Sequence, residues 1–346
     1  MTSPPAVAQV ARLRARGEIV LAAEEVDPPG PDEVLLTVTA VGLCGSDLHW
    51  YEDGAIGDVG LTRPLVLGHE FSGVIATGPR AGQRVAVEPG DPCGTCRPCQ
   101  AGKANLCVAT RFAGHGPTDG ALRSVMAWPD RLCLSIPDAI AADDAALLEP
   151  LGVALHALDL ARIPLGGTAG VYGCGPLGLL LVQLLRLAGA STVVATDLLE
   201  HRVAAAAALG ATHAIQLEPA VDGAASPAAD RPVDVAFEVA GTAPALLDAL
   251  TAVRPGGRVV IVGIPSDDRT SFPASLARRK GLTILVCRRM APTDLGRAID
   301  LVARGHVDTA PLITDRYPLA RVGEAFEALA SRRGLKVIVR PSVGAG

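Results

Sequence analysis

Four cysteines within fifteen positions form the densest group of potential metal ligands in the chain. They follow the spacing C-x2-C-x2-C-x7-C and are Cys93, Cys96, Cys99 and Cys107. Four thiolates arranged as a tetrahedron are the ligand set of a structural zinc ion and leave no position for a substrate. An iron–sulfur cluster and two disulfide bonds are the alternatives that such cysteines also allow. We predict structural zinc, bound by thiols that a reducing compartment keeps unpaired.

A second and more dispersed group of possible ligands comes from three segments. Cys44 lies in Cys-Gly-Ser-Asp-Leu-His, His69 and Glu70 lie in Gly-His-Glu-Phe-Ser-Gly, and Glu149 precedes Pro-Leu. One thiolate, one imidazole and carboxylates can hold zinc while leaving a position open, as a catalytic site requires. Each residue is weak evidence by itself, because single cysteines are commonly buried in the core. Spacing alone leaves the existence of this second metal open.

A glycine-rich segment predicts a dinucleotide site. Gly173-Cys174-Gly175-Pro176-Leu177-Gly178 matches G-x-G-x-x-G, after an apolar run typical of a strand and before a run typical of a helix. We expect Gly173 to permit the tight turn, Gly175 to leave room for the pyrophosphate and Gly178 to let helix and strand approach. The helix N-terminus would offer N–H groups to the phosphates. A glycine turn without a ligand is the alternative.

The residues after two later strands extend this site. Asp197 ends the second strand, nineteen residues after Gly178. A carboxylate there accepts hydrogen bonds from the adenosine ribose and repels a 2′-phosphate, which predicts NAD rather than NADP. Arg202 is close in sequence and could weaken that discrimination. Val262 and Gly263, at the end of a further strand, complete the predicted cofactor contacts.

The elements that position these residues follow two patterns. Up to about residue 150 the chain is turn-rich, with short strands at 34–38, 74–76 and 85–87, which indicates an antiparallel β-rich domain with long loops. After Pro164, strands and helices alternate, as in a doubly wound parallel sheet. We predict its strands at 169–172, 192–196, 213–217, 233–239, 258–262 and 282–286, and its helices at 176–188, 200–209 and 243–253. Helices at 294–304 and 319–330 and a strand at 336–339 follow, and 219–229 is predicted to be a surface loop.

Length and charge exclude several other classes of protein. The chain has 346 residues, 49% of them hydrophobic and only 19% charged, with a formal net charge of −5. Two domains are expected at this length. The acidic balance argues against a nucleic-acid binder. The N-terminus has no apolar core of a secretory signal, and no apolar run has the length of a membrane span. We therefore expect a cytoplasmic protein.

Five motifs carry a resemblance to a known family. They are CGSDLHWYEDGAIGD (44–58), PLVLGHEFSGVI (64–75), the four-cysteine segment, EPLGVALHA (149–157) and GCGPLGLL (173–180). On these motifs the chain resembles the zinc-containing medium-chain dehydrogenase/reductase superfamily over nearly its whole length. Within it, the chain is most similar to the polyol group, which includes sorbitol (L-iditol), L-idonate 5- and L-threonine dehydrogenases.

This resemblance implies an α/β fold and a division into domains. A GroES-like β-rich catalytic domain would comprise 1–150 and 288–346, and a Rossmann domain that binds NAD would comprise 151–287. The family pattern places catalytic zinc at Cys44, His69 and Glu70, where Glu70 is a direct ligand in some members only. Glu149 matches a carboxylate that can reach the metal through water. Such enzymes commonly form homotetramers, or dimers.

The resemblance also assigns residues to proton transfer and to the substrate. Ser46 and His49 match the two members of a proton relay, and Arg288 matches a substrate-binding arginine. The chain departs from the family pattern at Arg289, where a tyrosine is usual, and in a shorter loop at 78–82. Two adjacent arginines favour a substrate with a carboxylate or phosphate. A pair of surface arginines is the alternative.

Together these residues predict a zinc-dependent oxidoreductase with two Zn²⁺ ions per chain. It would transfer hydride from a secondary alcohol of a polyol to NAD. L-Idonate and L-threonine are the alternative substrates. Quinone and enoyl reductases of the same fold lack both metals, and a zinc-stabilised protein that merely binds a dinucleotide is the non-catalytic alternative.

Overall fold

The computed structural model describes residues 7–218 and 230–342, so the loop predicted at 219–229 lies outside the described residues. The chain forms two compact units. The first comprises Met1–Glu149 and Ala291–Gly346, and the second comprises Pro150–Met290. Each unit has its own main β-sheet.

The first unit is rich in short strands. From its N-terminal segment come β1 (Val7–Ala15), β2 (Glu18–Glu25), β3 (Glu33–Gly42), β4 (Ala55–Ile56), β5 (Val59–Gly60), β6 (Leu65–Val66), β7 (Glu70–Ile75), β8 (Arg84–Val87), β9 (Gly90–Asp91), β10 (Arg111–Phe112), β11 (Val125–Pro129) and β12 (Cys133–Ser135). The helices of this segment are α1 (Gly45–Asp53), α2 (Arg97–Gln100) and α3 (Ala142–Ala146), and α4 (Leu148–Ala161) leads into the second unit.

The second unit alternates strands and helices, as predicted. Its strands are β13 (Thr168–Tyr172), β14 (Thr192–Asp197), β15 (His213–Gln216), β16 (Val233–Glu238), β17 (Val253–Ile261) and β18 (Thr283–Val286). Its further helices are α5 (Pro176–Leu187), α6 (Glu200–Ala208), α7 (Ala243–Ala252) and α8 (Ala274–Lys280). The chain then returns to the first unit through α9 (Asp294–Ala303), β19 (Ile313–Pro318), α10 (Val322–Ser331) and β20 (Lys336–Arg340).

Strand β3 is the centre of the main sheet in the first unit, which has the order β12-β8-β7-β3-β20-β19 with β11 also paired to β3. Every second side chain from Val34 to Ala40 is buried, because β3 alternates between the core and the opposite face. The C-terminal strand β20 pairs antiparallel with the end of β3, with Ile338 opposite Gly42. The last strand of the chain therefore lies next to the segment that leads to Cys44.

The sheet of the second unit is entirely parallel, with the order β15-β14-β13-β16-β17-β18. In this order the chain starts in the middle at β13, winds outward to β15 and then winds from β16 to the other edge. This is the doubly wound arrangement of a dinucleotide-binding sheet. Strands β13 and β14 are almost continuously buried because helices cover both faces of such sheets. The predicted fold class is confirmed.

Strand β17 differs most from its prediction. The strand begins at Val253, whereas the predicted strand begins at 258, after the glycines at 256 and 257. The pairing with β16 shifts between Val233 and Val235, so residues 254–257 form an irregular insertion that keeps the strand continuous. Helices α1, α2, α3, α4 and α8 were not predicted. In the described part of the chain, no helix combines the length and apolar character needed to cross a membrane.

Candidate catalytic metal site and dinucleotide site

Three predicted metal ligands meet in the first unit. One ligand atom from each of Cys44, His69 and Glu70 lies within 4.8 Å of the others. Cys44 immediately precedes α1, while Glu70 is the first residue of β7 and His69 comes just before it. His69 and Glu70 are buried and Cys44 is half-buried. One sulfur, one nitrogen and one oxygen donor at this spacing fit zinc with a coordination position left open.

Asp47 holds two of these ligands in place. Its Oδ2 accepts a hydrogen bond from the Cys44 backbone N–H at 2.9 Å, and its Oδ1 accepts one from Gly68 at 3.1 Å. Oδ1 also lies 3.6 Å from Nδ1 of His69. Burial alone would raise the pKa of Asp47, but the His69 ring and the two N–H donors outweigh it and lower that pKa. An ionised Asp47 favours a proton on Nδ1 of His69, which leaves Nε2 for a metal.

The predicted relay residues lie on α1. Ser46 Oγ is 3.5 Å from Nε2 of His69, so its hydroxyl group borders the ligand cluster. His49 is about one turn further along the helix, and its Nδ1 lies 3.0 Å from Oδ2 of Asp53. The His49 side chain is 24% exposed, which gives it access to water. The helix therefore presents one hydroxyl group towards the cluster and one imidazole towards solvent.

Lys336 is a member of this site that sequence reasoning missed. Its ammonium group forms an ion pair with Glu70 and donates a hydrogen bond to the carbonyl oxygen of Leu43 at 2.9 Å. Burial would lower the pKa of Lys336, but the Glu70 carboxylate outweighs it and raises that pKa. A Cβ atom at position 42 would overlap both Glu70 and Lys336, so the close approach requires Gly42.

Glu149 lies near the cluster without belonging to the group of three mutually close ligands. It is buried near the start of α4. Burial raises the pKa of Glu149 to about 7, and the charge of Glu70 adds to this shift while His69 opposes it. Its predicted role at the metal stays a prediction.

The four predicted structural ligands also come together. The sulfur atoms of Cys93, Cys96, Cys99 and Cys107 lie within 4.8 Å of one another. Three Sγ–Sγ distances are 3.4, 3.5 and 3.8 Å. A tetrahedron with Zn–S bonds of ~2.3 Å has edges of about 3.8 Å, whereas a disulfide bond is only ~2.0 Å long. All four cysteines are free and these distances are too long for disulfide bonds, so the arrangement fits one zinc ion.

The geometry of this four-cysteine lobe (residues 93–107) follows from its local sequence. The short strands β9 and β10 pair at its base and bring its two ends together. Gly94 and Gly102 have positive φ angles of 72°, which allow the chain to wrap around a small volume. The backbone N–H of Cys93 bonds to the Cys107 sulfur and lowers the pKa of that thiol to about 6, which favours the thiolate that zinc requires.

The glycine segment of the second unit forms a turn between β13 and α5. Gly173 has a φ of 109°, and a Cβ atom at Gly178 would overlap the carbonyl oxygen of Gly173. A Cβ atom at Gly175 would meet only Arg202 Nη1, at 3.8 Å. Pro176 is the first residue of α5 and Leu177 the second. The turn thus has the close packing and the open approach that a pyrophosphate group needs.

Asp197 lies beside this turn, as the last residue of β14. Its Oδ2 accepts a hydrogen bond from the Cys174 N–H at 2.8 Å, and its Oδ1 accepts one from Leu199 at 3.0 Å. Arg202 Nη1 is 3.9 Å from Asp197 Oδ2. The predicted selectivity residues therefore form one group at the glycine turn, with a carboxylate and a guanidinium group side by side.

The remaining predicted residues also lie in the second unit. Val262 and Gly263 directly follow β17, and both donate backbone hydrogen bonds to the carbonyl oxygen of Glu238, at 2.8 and 3.1 Å. Arg288 is exposed, and Arg289 has a positive φ of 56°. Arg288 belongs to the second unit, whereas the predicted metal ligands belong to the first. Its role towards the substrate therefore stays a prediction.

Comparison with known proteins agrees with this architecture. Residues 30–138 match the alcohol dehydrogenase GroES-like domain, and residues 176–304 match the zinc-binding dehydrogenase family. Sorbitol dehydrogenase of Bacillus subtilis is 39% identical over 90% of this chain and 91% of its own length. A probable D-xylulose reductase A of Aspergillus clavatus is 37% identical over 89% of both chains.

Solved structures show the same similarity. L-Idonate 5-dehydrogenase of Escherichia coli superposes with a TM-score of 0.89 at 26% identity, over 97% of this chain and 99% of that chain. A protein of Sinorhizobium meliloti described as a zinc-binding dehydrogenase, solved bound to NADP, has a TM-score of 0.87 at 31% identity over 97% and 100%. The chain therefore belongs to the zinc-binding dehydrogenases with a GroES-like domain, within the polyol group of medium-chain enzymes. The predicted family and enzyme class are confirmed.

Proposed function

We propose that this protein oxidises a secondary hydroxyl group of a polyol, with NAD as the hydride acceptor, at a zinc site formed by Cys44, His69 and Glu70. The observation that carries the proposal is the convergence of these three donors beside the hydroxyl group of Ser46. In the same chain, a glycine turn between strand and helix provides a binding site for a dinucleotide.

When bound, zinc supplies a Lewis acid that polarises the alcohol oxygen and lowers the pKa of its proton. The protein must then move that proton. The hydroxyl group of Ser46 borders the ligand cluster and is positioned to accept it, and His49 lies on the same helix with access to water. Asp53 accepts a hydrogen bond from Nδ1 of His49, so Nε2 is the nitrogen that receives the proton.

The position of Asp197 supports NAD over NADP as the cofactor. A 2′-phosphate near Asp197 would meet a carboxylate whose two oxygens already accept two backbone hydrogen bonds that fix its position. Arg202 partly offsets this repulsion, because its guanidinium group is 3.9 Å from the same carboxylate. We therefore propose a preference for NAD that is strong but not absolute.

The 39% identity to a sorbitol dehydrogenase supports a polyol as substrate. A sugar acid is the second candidate, which the adjacent Arg288 and Arg289 favour because guanidinium groups pair with carboxylates. The similarity to an L-idonate 5-dehydrogenase at a TM-score of 0.89 agrees with this second candidate.

We also propose a structural zinc ion in the four-cysteine lobe, a reducing compartment such as the cytoplasm, and a homotetramer or dimer. Four free thiols support the first two. The third is supported by β18, which lies at an edge of its sheet and exposes 74% of Val286. Light scattering on the purified protein tests the assembly.

One set of measurements tests the proposed function as a whole. The purified protein is offered sorbitol, xylitol, galactitol, L-idonate and L-threonine with NAD or NADP, and reduction of the cofactor is followed by absorbance. Metal analysis should give two zinc ions per chain. We expect turnover of polyols with NAD, and loss of that turnover when a chelator removes the zinc. Full activity in a sample without zinc would overturn the proposal.

A further inference from the structure

The carboxylate of Glu238, the last residue of β16, is an acidic group that the proposed mechanism does not use. Only 2% of the residue is exposed. Glu238 belongs to neither of the two predicted metal clusters. A buried carboxylate needs partners for its charge, because removal from water costs several kcal/mol without them. Those partners identify what Glu238 does.

All of the partners are backbone groups of two loops. Oε1 of Glu238 accepts hydrogen bonds from the N–H groups of Gly241 at 2.6 Å and Thr242 at 3.4 Å. Burial raises the pKa of Glu238, and the backbone N–H groups of Ala240 and Gly263 join the first two donors in opposing that rise. The first three donors belong to the loop after β16, and the fourth follows β17. The side chain therefore ties the ends of two neighbouring strands together.

The two loops pack so closely that there is no room for a side chain between their backbones. A Cβ atom at Gly263 would overlap the backbone N of Gly241 and lie 2.7 Å from Oε2 of Glu238. A Cβ atom at Gly173, the first glycine of the nucleotide turn, would lie 2.8 Å from the backbone N of Ala240. The loop that Glu238 fixes is thus in contact with the glycine turn on one side and with Gly263 on the other.

The same loops border a small pocket at the carboxyl ends of β16 and β17. Its lining includes Glu238, Gly241, Thr242, Gly263 and Arg269. In a doubly wound sheet, the crevice at the carboxyl ends of the strands is where the dinucleotide lies. A change in the conformation of the loop after β16 would therefore change the shape of that crevice.

We propose that Glu238 is a positioning residue for the dinucleotide. Its carboxylate fixes the loop 239–242 against Gly173 and Gly263 and so gives the binding crevice its shape, without touching the metal ligands. This inference rests on the proposed binding of NAD by the second unit. An ionised carboxylate is suited to the task because it accepts several hydrogen bonds and donates none. An amide in its place would keep one acceptor oxygen but turn its NH2 group towards the remaining backbone N–H groups.

The strand β16 offers a matched control at its other end. Asp234 accepts a hydrogen bond from the Thr168 N–H at 2.7 Å and forms an ion pair with Arg254 at 2.6 Å. It therefore joins the same sheet through the same kind of bond, but at the amino ends of the strands, away from the glycine turn. Asp234→Asn should affect stability without a specific effect on the cofactor.

The experiment compares Glu238→Gln and Asp234→Asn with the wild type for NADH affinity by fluorescence, melting temperature, zinc content and kinetics. For Glu238→Gln we expect the dissociation constant of NADH and the KM for NAD to rise about tenfold or more, as the loss of charge-assisted hydrogen bonds predicts. The KM for the alcohol and the two zinc ions per chain should not change. Asp234→Asn should keep its NADH affinity within about twofold of the wild type.

Three results would count against the inference or its basis. NADH affinity in Glu238→Gln close to that of the wild type would overturn the role proposed for Glu238 but not the proposed function. An equal loss of NADH affinity in Asp234→Asn would have the same consequence. A wild-type protein that binds neither NADH nor NADPH would overturn the proposed function as well. If Glu238→Gln does not fold, Glu238→Asp, which keeps the charge on a shorter side chain, should still weaken NADH binding more than Asp234→Asn does in the same assay.

Discussion

Asp47 shows how much of the metal site depends on one residue that binds no metal. It joins the backbone N–H of Cys44 to that of Gly68 and lies beside His69, so two ligands far apart in sequence share one carboxylate. Asp47 is completely buried, which keeps these bonds free from competition with water. The buried Asp47 carboxylate therefore fixes the positions of the predicted ligands Cys44 and His69.

Removal of the sulfur ligand tests the catalytic site at this scale. We expect Cys44→Ala to lower turnover at least about a thousandfold, because a Lewis acid contributes several kcal/mol to such a reaction. Zinc content should fall from two ions per chain to one, while NADH binding, which involves the second unit, should persist. Metal analysis and NADH fluorescence measure both. Retention of both zinc ions and of activity would contradict the ligand role of Cys44.

The proposed preference for NAD over NADP is a second property that depends on a single residue, Asp197. We expect Asp197→Ala to raise the dissociation constant of NAD roughly tenfold, through loss of hydrogen bonds to the ribose and of the bond that holds the Cys174 N–H. NADP should bind better than to the wild type, because the carboxylate that repels its phosphate is gone. Titration with both cofactors measures the ratio, and an unchanged ratio would show that selectivity resides elsewhere.

Sequence reasoning found the residues whose partners are close in the chain or belong to a known motif. The four cysteines and the glycine turn are of this kind, and the structure brings each set together. Lys336 could not be found in this way. Its partner Glu70 is far away in the sequence, and a lysine is more commonly a surface residue than a buried one. Glu238 escaped notice for a different reason, since its partners are backbone groups, which no side-chain motif in the sequence identifies.

At the scale of the element, α1 positions two sets of predicted site residues. It begins after a predicted metal ligand, Cys44, and it carries the predicted relay residues Ser46 and His49. The sequence did not indicate this helix, because its residues lack a clear apolar stripe and only Asp47 and Trp50 are buried. Strands with continuous apolar runs were easier to predict. The irregular start of β17 could not be predicted, since adjacent glycines ordinarily end a strand.

The four-cysteine lobe should be stabilised by its metal rather than by a core. Its short helix α2 contains no buried residue, so little apolar surface holds the lobe together. We expect Cys99→Ser to remove one zinc ion per chain and to lower the melting temperature by on the order of 10 °C. Cys287→Ser, which changes a cysteine outside both metal clusters, is the matched control. Equal melting temperatures for the two variants would argue against a structural zinc ion.

Asp143 on α3 connects that helix to both C-terminal strands. It accepts hydrogen bonds from Arg316 on β19 at 2.7 Å and from Arg340 on β20 at 2.9 Å. Burial would raise the pKa of Asp143, but the two guanidinium groups outweigh it and lower that pKa. The contribution to stability is therefore complete above the ordinary carboxyl pKa of about 4 and is lost as the pH falls through the lowered value.

This dependence on pH predicts the behaviour of one variant. We expect Asp143→Asn to lower the free energy of unfolding by about 1–2 kcal/mol at neutral pH, with partly exposed arginines limiting the effect. The difference from the wild type should shrink below about pH 4. Denaturant unfolding at several pH values measures it. A difference from the wild type that stays the same at neutral pH and below about pH 4 would contradict the assignment.

At the scale of the whole molecule, the chain leaves its first unit and returns to it. The second unit, Pro150–Met290, is one uninterrupted segment, whereas the first unit needs residues from both ends of the chain. The continuous unit shows a regular alternation of strands and helices, which is why its fold could be predicted in detail. The return of the C-terminal segment to the first unit was indicated only by the resemblance to a family. The pairing of β20 with β3, between residues far apart in sequence, was not predicted.

The distance in sequence between Lys336 and Glu70 has a consequence for biosynthesis. The four-cysteine lobe has all its ligands once residue 107 has left the ribosome. The cluster at Cys44 acquires the cation that neutralises Glu70 only when the final strand emerges. At ordinary rates of translation, the interval between the two events is roughly 10 to 50 s. For this interval the nascent chain therefore carries the complete four-cysteine lobe while Glu70 still lacks its buried cationic partner.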